Sequence, residues 1–145
     1  MNHSDSRMQL LDGIASNVLA TLASLDSEGL RRYLAQDVVL ELPFAPVELG
    51  PRLIRGADAV VQTMSRARTV YQSLSFSILE RYPAPSRDTV LFRARSEGVF
   101  KTGASYANEY MQVFTFDGNE VIHWIEFFDA IVAKSAFAPT GRQEG

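Results

Sequence analysis

The sequence predicts an α+β fold, with helices first and antiparallel strands after them, on three observations. Apolar residues recur at helical spacing near the start, strand-like segments joined by short turns fill everything after Leu74, and no helix returns between those strands. An alternating βαβ arrangement is thereby excluded.

In the first element Leu11, Ile14, Val18, Leu22 and Leu25 stand three and four residues apart, one face of a helix over 7–25. Asp26 or Ser27 can cap a short second helix that turns Leu30 and Leu34 inward and Arg31 and Arg32 outward. Val38 to Phe44 has strand composition and is stopped by Pro43 and Pro46. A loop through Gly50, Pro51 and Gly56 then leads to a third helix from about Asp58 to Val70, buried along Ala59, Val60, Met64 and Ala67. Strands follow at 74–82, 89–100, 105–116 and 120–132. There is no internal repeat or low-complexity tract, so 1–145 reads as one domain with loose tails at 1–6 and 138–145. Three helices cannot cover both faces of the sheet. A strongly curved sheet wrapped around them in a cone would leave its outer face to a second subunit, which predicts a homodimer.

Composition narrows the chemistry. With 145 residues, 46% of them hydrophobic, the chain can bury a sizeable core. A formal net charge of −3 and a pI near 5.4 supply no basic footprint for nucleic acid or an anionic membrane. The absence of cysteine removes thiol nucleophiles, disulfides and thiolate metal sites. His3 and His123 lack matched ligands nearby in sequence, so no metal site is expected, nor a cofactor. The start MNHSDSRMQLLDG has no signal-peptide pattern, and no apolar run has the length of a membrane span, so a soluble cytoplasmic protein is expected.

The most informative stretch is 102–130. Residues of one parity are Tyr106, Asn108, Tyr110, Gln112, Phe114 and Phe116, an aromatic face interrupted by two amides and a phenol. Such a face reads as a ligand surface, against the plainer alternative that Asn108 and Gln112 only satisfy buried backbone. If Thr102-Gly103 is a two-residue turn, Arg93 lies opposite Gln112 and Arg95 opposite Tyr110, so both arginines join that surface. The alternative is a solvated charged face, as the alternation with Val90, Phe92 and Ala94 suggests. For the next hairpin, a two-residue Asp117-Gly118 turn puts His123 and Ile125 on the Gln112 face. A three-residue loop through Asn119 instead puts Trp124, Glu126 and Phe128 there. An enclosed Glu126 beside an arginine has the makings of a general acid or base, the other readings being a buried or interfacial ion pair.

These features resemble the SnoaL-like branch of the nuclear transport factor 2-like superfamily, with its ketosteroid isomerase, polyketide cyclase and limonene epoxide hydrolase relatives. The markers are the early helices, LAQDVVLELP, the helix start at Gly56-Ala-Asp-Ala-Val, and FDGNEVIHWIEFFD. The resemblance implies a cystatin-like α+β barrel. Against the epoxide hydrolases, the Trp124-x-acid pattern puts Glu126 at the water-activating carboxylate and Arg93 at the catalytic arginine. It also implies that Trp124, Glu126 and Phe128 line the cavity with Asn108 and Tyr110. Arg95 stands where those enzymes have a second acid, and Leu40 and Leu42 replace a tyrosine and an asparagine, which speaks against standard epoxide hydrolysis.

The leading expectation is a cofactor-independent acid/base enzyme for a small, largely apolar polyketide- or terpenoid-like molecule. Glu126 and Arg93 are its candidate catalytic residues. Leu40, Leu42, Phe44, Arg95, Asn108, Tyr110, Gln112, Trp124 and Phe128 are its candidate binding residues. A non-catalytic binding protein with the same cavity is the second reading, and a dimeric interaction module with a filled cavity the third.

Overall fold

The computed structural model describes residues 3–137. Helix α1 (His3–Ala23) opens the chain, so residues 3–6, expected to be loose, belong to a helix; the expected tail at 138–145 lies outside the described residues. The second helix is a 3-10 turn at Ser27–Arg32, whose Gly29 N–H donates to the Asp26 carboxylate at 3.4 Å. Strand β1 (Leu34–Glu41), a 3-10 turn at Val47–Leu49 and a short strand β2 (Leu53–Arg55) follow. The helical stretch after Gly56 is broken into α2 (Ala57–Met64) and α3 (Ala67–Val70). The remaining elements are β3 (Tyr71–Ala84), a 3-10 turn at Pro85–Arg87, β4 (Thr89–Phe100), β5 (Ser105–Asp117), β6 (Glu120–Phe128) and α4 (Ala130–Phe137).

Six strands form one curved sheet in the order β2-β1-β6-β5-β4-β3. Every neighbouring pair is antiparallel except β1 with β6. This is the expected α+β arrangement of early helices on a curved, mostly antiparallel sheet; the sheet ends at β2 and β3 and does not close. Besides the short 3-10 turns, a strand and a helix escaped the sequence reading. Leu53–Arg55 is too short to show a period, and α4 lay hidden because, past Asp129, 130–132 resumes the apolar run of β6.

The core lies on the concave face. Leu11, Ala15, Val18 and Leu19 of α1 pack with Leu30, Val38, Leu40, Val60, Val90, Phe92, Phe114 and Trp124, each nearly inaccessible. Each large apolar side chain buried this way contributes roughly 1.5–3 kcal/mol, so the α1 stripe alone anchors that helix. A second, smaller cluster of Tyr71, Phe100 and Tyr106, with Phe137 of α4 against it, sits beside the main core. The candidate site lies where the two clusters meet.

Candidate functional site

Two hairpins decide which side chains face inward. Between β4 and β5 the chain turns through Lys101, Thr102 and Gly103, closed by Phe100 N–H to Ala104 O and Gly103 N–H to Phe100 O, both 2.8 Å. Gly103 takes φ 93, the positive φ that ends such three-residue loops and that glycine accepts without strain. This loop is one residue longer than the expected two-residue turn, and a one-residue slip exchanges the faces of a strand. Phe92 therefore pairs with Gln112, Ala94 with Tyr110 and Ser96 with Asn108. Arg93 and Arg95 turn to the convex face, where Arg93 pairs with Glu80 at 3.3 Å and Glu109 at 3.2 Å, and Arg95 with Glu97 at 3.6 Å. The expectation that both arginines share the Gln112 surface is corrected: neither lies beside Glu126, and the solvated charged face is the arrangement found.

Between β5 and β6 the turn residues are Gly118 and Asn119, with Asp117 opposite Glu120. A bulge then follows, since Phe116 pairs with Val121 but Thr115 with His123, leaving Ile122 unpaired. The extra residue restores the parity expected of the three-residue loop, and Trp124, Glu126 and Phe128 share the face of Gln112. His123 faces the other way and contacts Glu41 across the β1–β6 pair.

Gln112 and Glu126 are directly opposed, and Gln112 Nε2 donates to Glu126 Oε2 at 2.7 Å. The Trp124 Nε1–H, a group that can only donate, gives its hydrogen bond to Gln112 Oε1 at 2.7 Å. That contact fixes the orientation of the amide, so its NH2 must face the carboxylate. Glu126 Oε1 has no hydrogen-bond partner among the described residues, where no buried polar side-chain atom is left unpaired, so this oxygen reaches open space. Burial pushes the Glu126 carboxyl up from 4.5 to about 7, opposed only by the Gln112 hydrogen bond. Among the described residues no cation acts to hold it down.

The open space is a cavity of about 200 Å³ walled by Leu42, Tyr71, Tyr106, Tyr110, Glu126, Phe128, Ala133 and Phe137, with Ala45, Leu49, Gly50 and Pro51 at its rim. Lys134 of α4 reaches across to Glu48 of the rim turn at 3.0 Å. The Tyr110 hydroxyl lies 3.0 Å from Ser96 Oγ, and the Tyr106 hydroxyl accepts from Asn108 Nδ2 at 2.6 Å. Burial, helped by the negative charge of Glu126, pushes the Tyr71, Tyr106 and Tyr110 hydroxyls up. All three therefore stay protonated and are able to donate.

Of the expected binding residues, Leu42, Tyr110 and Phe128 line this cavity with Glu126. Leu40, Gln112 and Trp124 are fully buried behind the lining. Asn108 is a clasp: its Oδ1 accepts from Glu109 N–H and Asp129 N–H, and its Nδ2 also donates to Asp129 O, which commits the side chain to the β5 and β6–α4 backbone. Phe44 is 59% exposed and packs on Phe127 of the convex face, so it is corrected out of the lining. Tyr71 and Phe137 were missed because β3 begins three residues before the expected strand and Phe137 lies beyond the expected strand at 120–132, in a helix that was not foreseen. Tyr106 was legible, being of the same parity as Tyr110. Among the described residues no group of His, Asp and Glu is placed to hold a metal ion, and no helix is long and apolar enough to cross a membrane.

A curved α+β sheet around a small cavity with a half-buried carboxyl defines a class that comparison with known proteins narrows. The SnoaL-like domain profile matches residues 15–124, well over half of the sequence, and the chain belongs to that family. A Bacillus subtilis protein provisionally assigned as an isomerase superposes with a TM-score of 0.82 at 21% identity, over 97% of this chain and 98% of its own. A limonene-epoxide-hydrolase-like enzyme of M. tuberculosis gives 0.70 at 18% identity, over 86% of each chain. TerC, co-crystallised with polyporic acid, gives 0.75 at 15% identity, over 87% of this chain and 96% of its own. At these identities the likeness is one of fold. No curated protein sequence matches significantly.

Proposed function

We propose that this protein is an acid/base enzyme acting on a small, largely apolar molecule held in the cavity, with Glu126 as the group that takes and returns the proton. One observation carries the reading. A desolvated carboxyl has one oxygen pinned by Gln112 and the other open to an apolar cavity, with its ionisation poised at about 7. A base poised near the working pH combines a useful ionised fraction with a strong drive for proton transfer. The structural neighbours support the reading as company only, since they include proteins described as an isomerase and an epoxide hydrolase.

The cavity limits the ligand. About 200 Å³ is below the roughly 300–1,000 Å³ of sites for drug-sized molecules, so a compact substrate fits and a multi-ring one does not. The test is a screen of small cyclic ketones and epoxides for turnover and for calorimetric binding, with wild type and Glu126→Gln side by side. Turnover lost in Glu126→Gln with binding kept is the expected result. Binding without conversion in the wild type would make this a binding protein, and unimpaired turnover in the variant would remove the base.

We further propose that the convex face pairs two copies of the chain. Val39, Leu91, Met111, Val113, Ile125 and Phe127 lie there half-buried, with Phe44 exposed beside them. Such a strip fits a symmetric contact, because arginines and glutamates flank it together.

A further inference from the structure

The loop between β1 and β2, residues 42–52, supplies Leu42, Ala45, Leu49, Gly50 and Pro51, five of the twelve residues that line the cavity. Among the described residues its hydrogen bonds close on the loop itself. Leu42 N–H donates to Arg52 O at 2.8 Å, Ala45 N–H to Leu42 O at 3.1 Å, Leu49 N–H to Pro46 O at 2.9 Å and Arg52 Nε–H to Ala45 O at 2.7 Å. The polar contact that leaves the loop is the exposed pair of Glu48 with Lys134. A segment bonded chiefly to itself shifts as a unit about its two ends at little cost. Those ends therefore decide how firmly this part of the wall stands.

Both ends carry apolar side chains on the convex face. Phe44, 59% exposed, leans on Phe127 with ring centroids 5.3 Å apart. Leu53, 44% exposed, follows Arg52 and stands opposite Glu41, which is itself opposite Ile125. Across the sheet, Ile125 opposes Val113, Val113 opposes Leu91, and Leu91 opposes Tyr82, which is 46% exposed. Opposed residues share a face, so one row crosses the sheet from edge to edge. The row is apolar except at Glu41, which turns to His123. In the adjoining row Glu80, Arg93, Met111 and Phe127 stand side by side. A copy related by a twofold axis can set its arginines against these glutamates, so charge favours the contact.

We propose that the second copy on this face seats against Phe44 and Leu53 and clamps both ends of the rim loop, so that dimer formation and ligand binding promote each other. This rests on the reading of the convex face as a dimer contact and of the cavity as a ligand site. Covering Phe44 and Leu53 removes the room in which the loop swings, and a ligand that touches Leu42 and Leu49 no longer has to order that loop alone. A bound ligand in turn holds the loop in the form that the second copy covers. Linkage makes the two effects equal in size.

The test is hydrogen–deuterium exchange of the 42–52 amides read by mass spectrometry, with calorimetry of cyclohexanone beside it. Leu91→Glu places a charge in the row on β4, three strands away from β1 and the loop. It should give a folded monomer in sedimentation velocity whose 42–52 amides exchange about tenfold faster than in wild type. Its cyclohexanone affinity should fall about tenfold, within the range usual for coupled sites. Wild type diluted until it dissociates should show the same rise in exchange without any substitution, and saturating cyclohexanone should shift it back toward the dimer. Equal exchange at 42–52 in dimer and monomer overturns the clamp. Cyclohexanone that binds both forms equally, or neither, overturns the linkage. In either case a wild-type dimer that Leu91→Glu dissociates keeps the dimer reading, whereas a wild type that stays monomeric ends both.

Discussion

Gln112 donates to Glu126 at 2.7 Å while accepting from Trp124 at 2.7 Å, so a fully buried amide orients the carboxyl from behind the cavity wall. The arrangement explains why the glutamine is worth burying. With only a hydrogen bond opposing desolvation, Glu126 stays near neutrality, whereas an arginine in that place would hold it ionised.

Replacing Gln112 by Met should raise the Glu126 pKa above about 7, because the one interaction that favours the carboxylate is gone. It should also cost about 1–3 kcal/mol, since Trp124 Nε1 loses its acceptor in a sealed core. A 13C titration of the glutamate side chains checks the first effect and urea unfolding the second. An unmoved titration would show that Gln112 does not govern the carboxyl.

Stability should depend on pH through the same residue. Between 4.5 and about 7 the folded protein holds the Glu126 proton that the unfolded chain releases, so the unfolding free energy falls as pH rises through that window. The loss is complete once pH passes the folded-state value and amounts to at most roughly 3 kcal/mol at about 1.4 kcal/mol per pKa unit. Glu126→Gln should remove this dependence and be the more stable protein at pH 8. Unfolding curves of both proteins at pH 4.5 and pH 8 decide it, and parallel pH profiles would contradict it.

Much of the site was legible because strand parity is a strong signal. The face of Tyr106, Tyr110, Gln112 and Phe114 stands in the sequence, and β4 matched its expected bounds. What parity cannot give is the number of residues in a turn. The Lys101–Gly103 loop and the unpaired Ile122 each add one residue, and each sends a whole strand to the opposite face. That is why Arg93 was expected beside Glu126 and stands outside, while Glu126 was legible only to within two alternatives. Helix α4 was beyond reach for another reason: its apolar residues show no break from β6 except Asp129, whose carboxylate caps Ile131 and Val132 N–H at 3.0 and 3.1 Å.

Arg93→Ala and Arg95→Ala should accordingly leave substrate conversion and ligand affinity unchanged. Both side chains are half exposed and pair only with glutamates of the convex face, contacts that solvent screens. Steady-state kinetics with whichever ketone or epoxide turns over provides the check. A loss of kcat in either variant would mean that the convex face takes part in the reaction.

Charge placed on the convex face should separate the proposed dimer. Phe127→Glu sets a carboxylate in the middle of the apolar strip, facing its own copy across a twofold contact, where like charges repel. Sedimentation velocity should give a dimer for the wild type and a monomer for this variant. A wild type that sediments as a monomer at high protein concentration would end the proposal.

The cavity's size should respond to Phe137, which caps it from α4 and packs on Tyr71, Phe100 and Tyr106. Truncation to Ala opens the wall on the side of the helix while leaving Glu126 and its Gln112 contact alone. Because Phe137 is only part-buried, the cost should be about 2–3 kcal/mol, under the ~3–5 kcal/mol of a fully buried phenylalanine. Calorimetry with cyclohexanone and the larger 2-decalone is the measurement. The variant should bind decalone better and cyclohexanone worse than wild type does, because the small ketone loses contacts that the larger one regains. Equal weakening for both would mean that Phe137 holds the site together without setting its size.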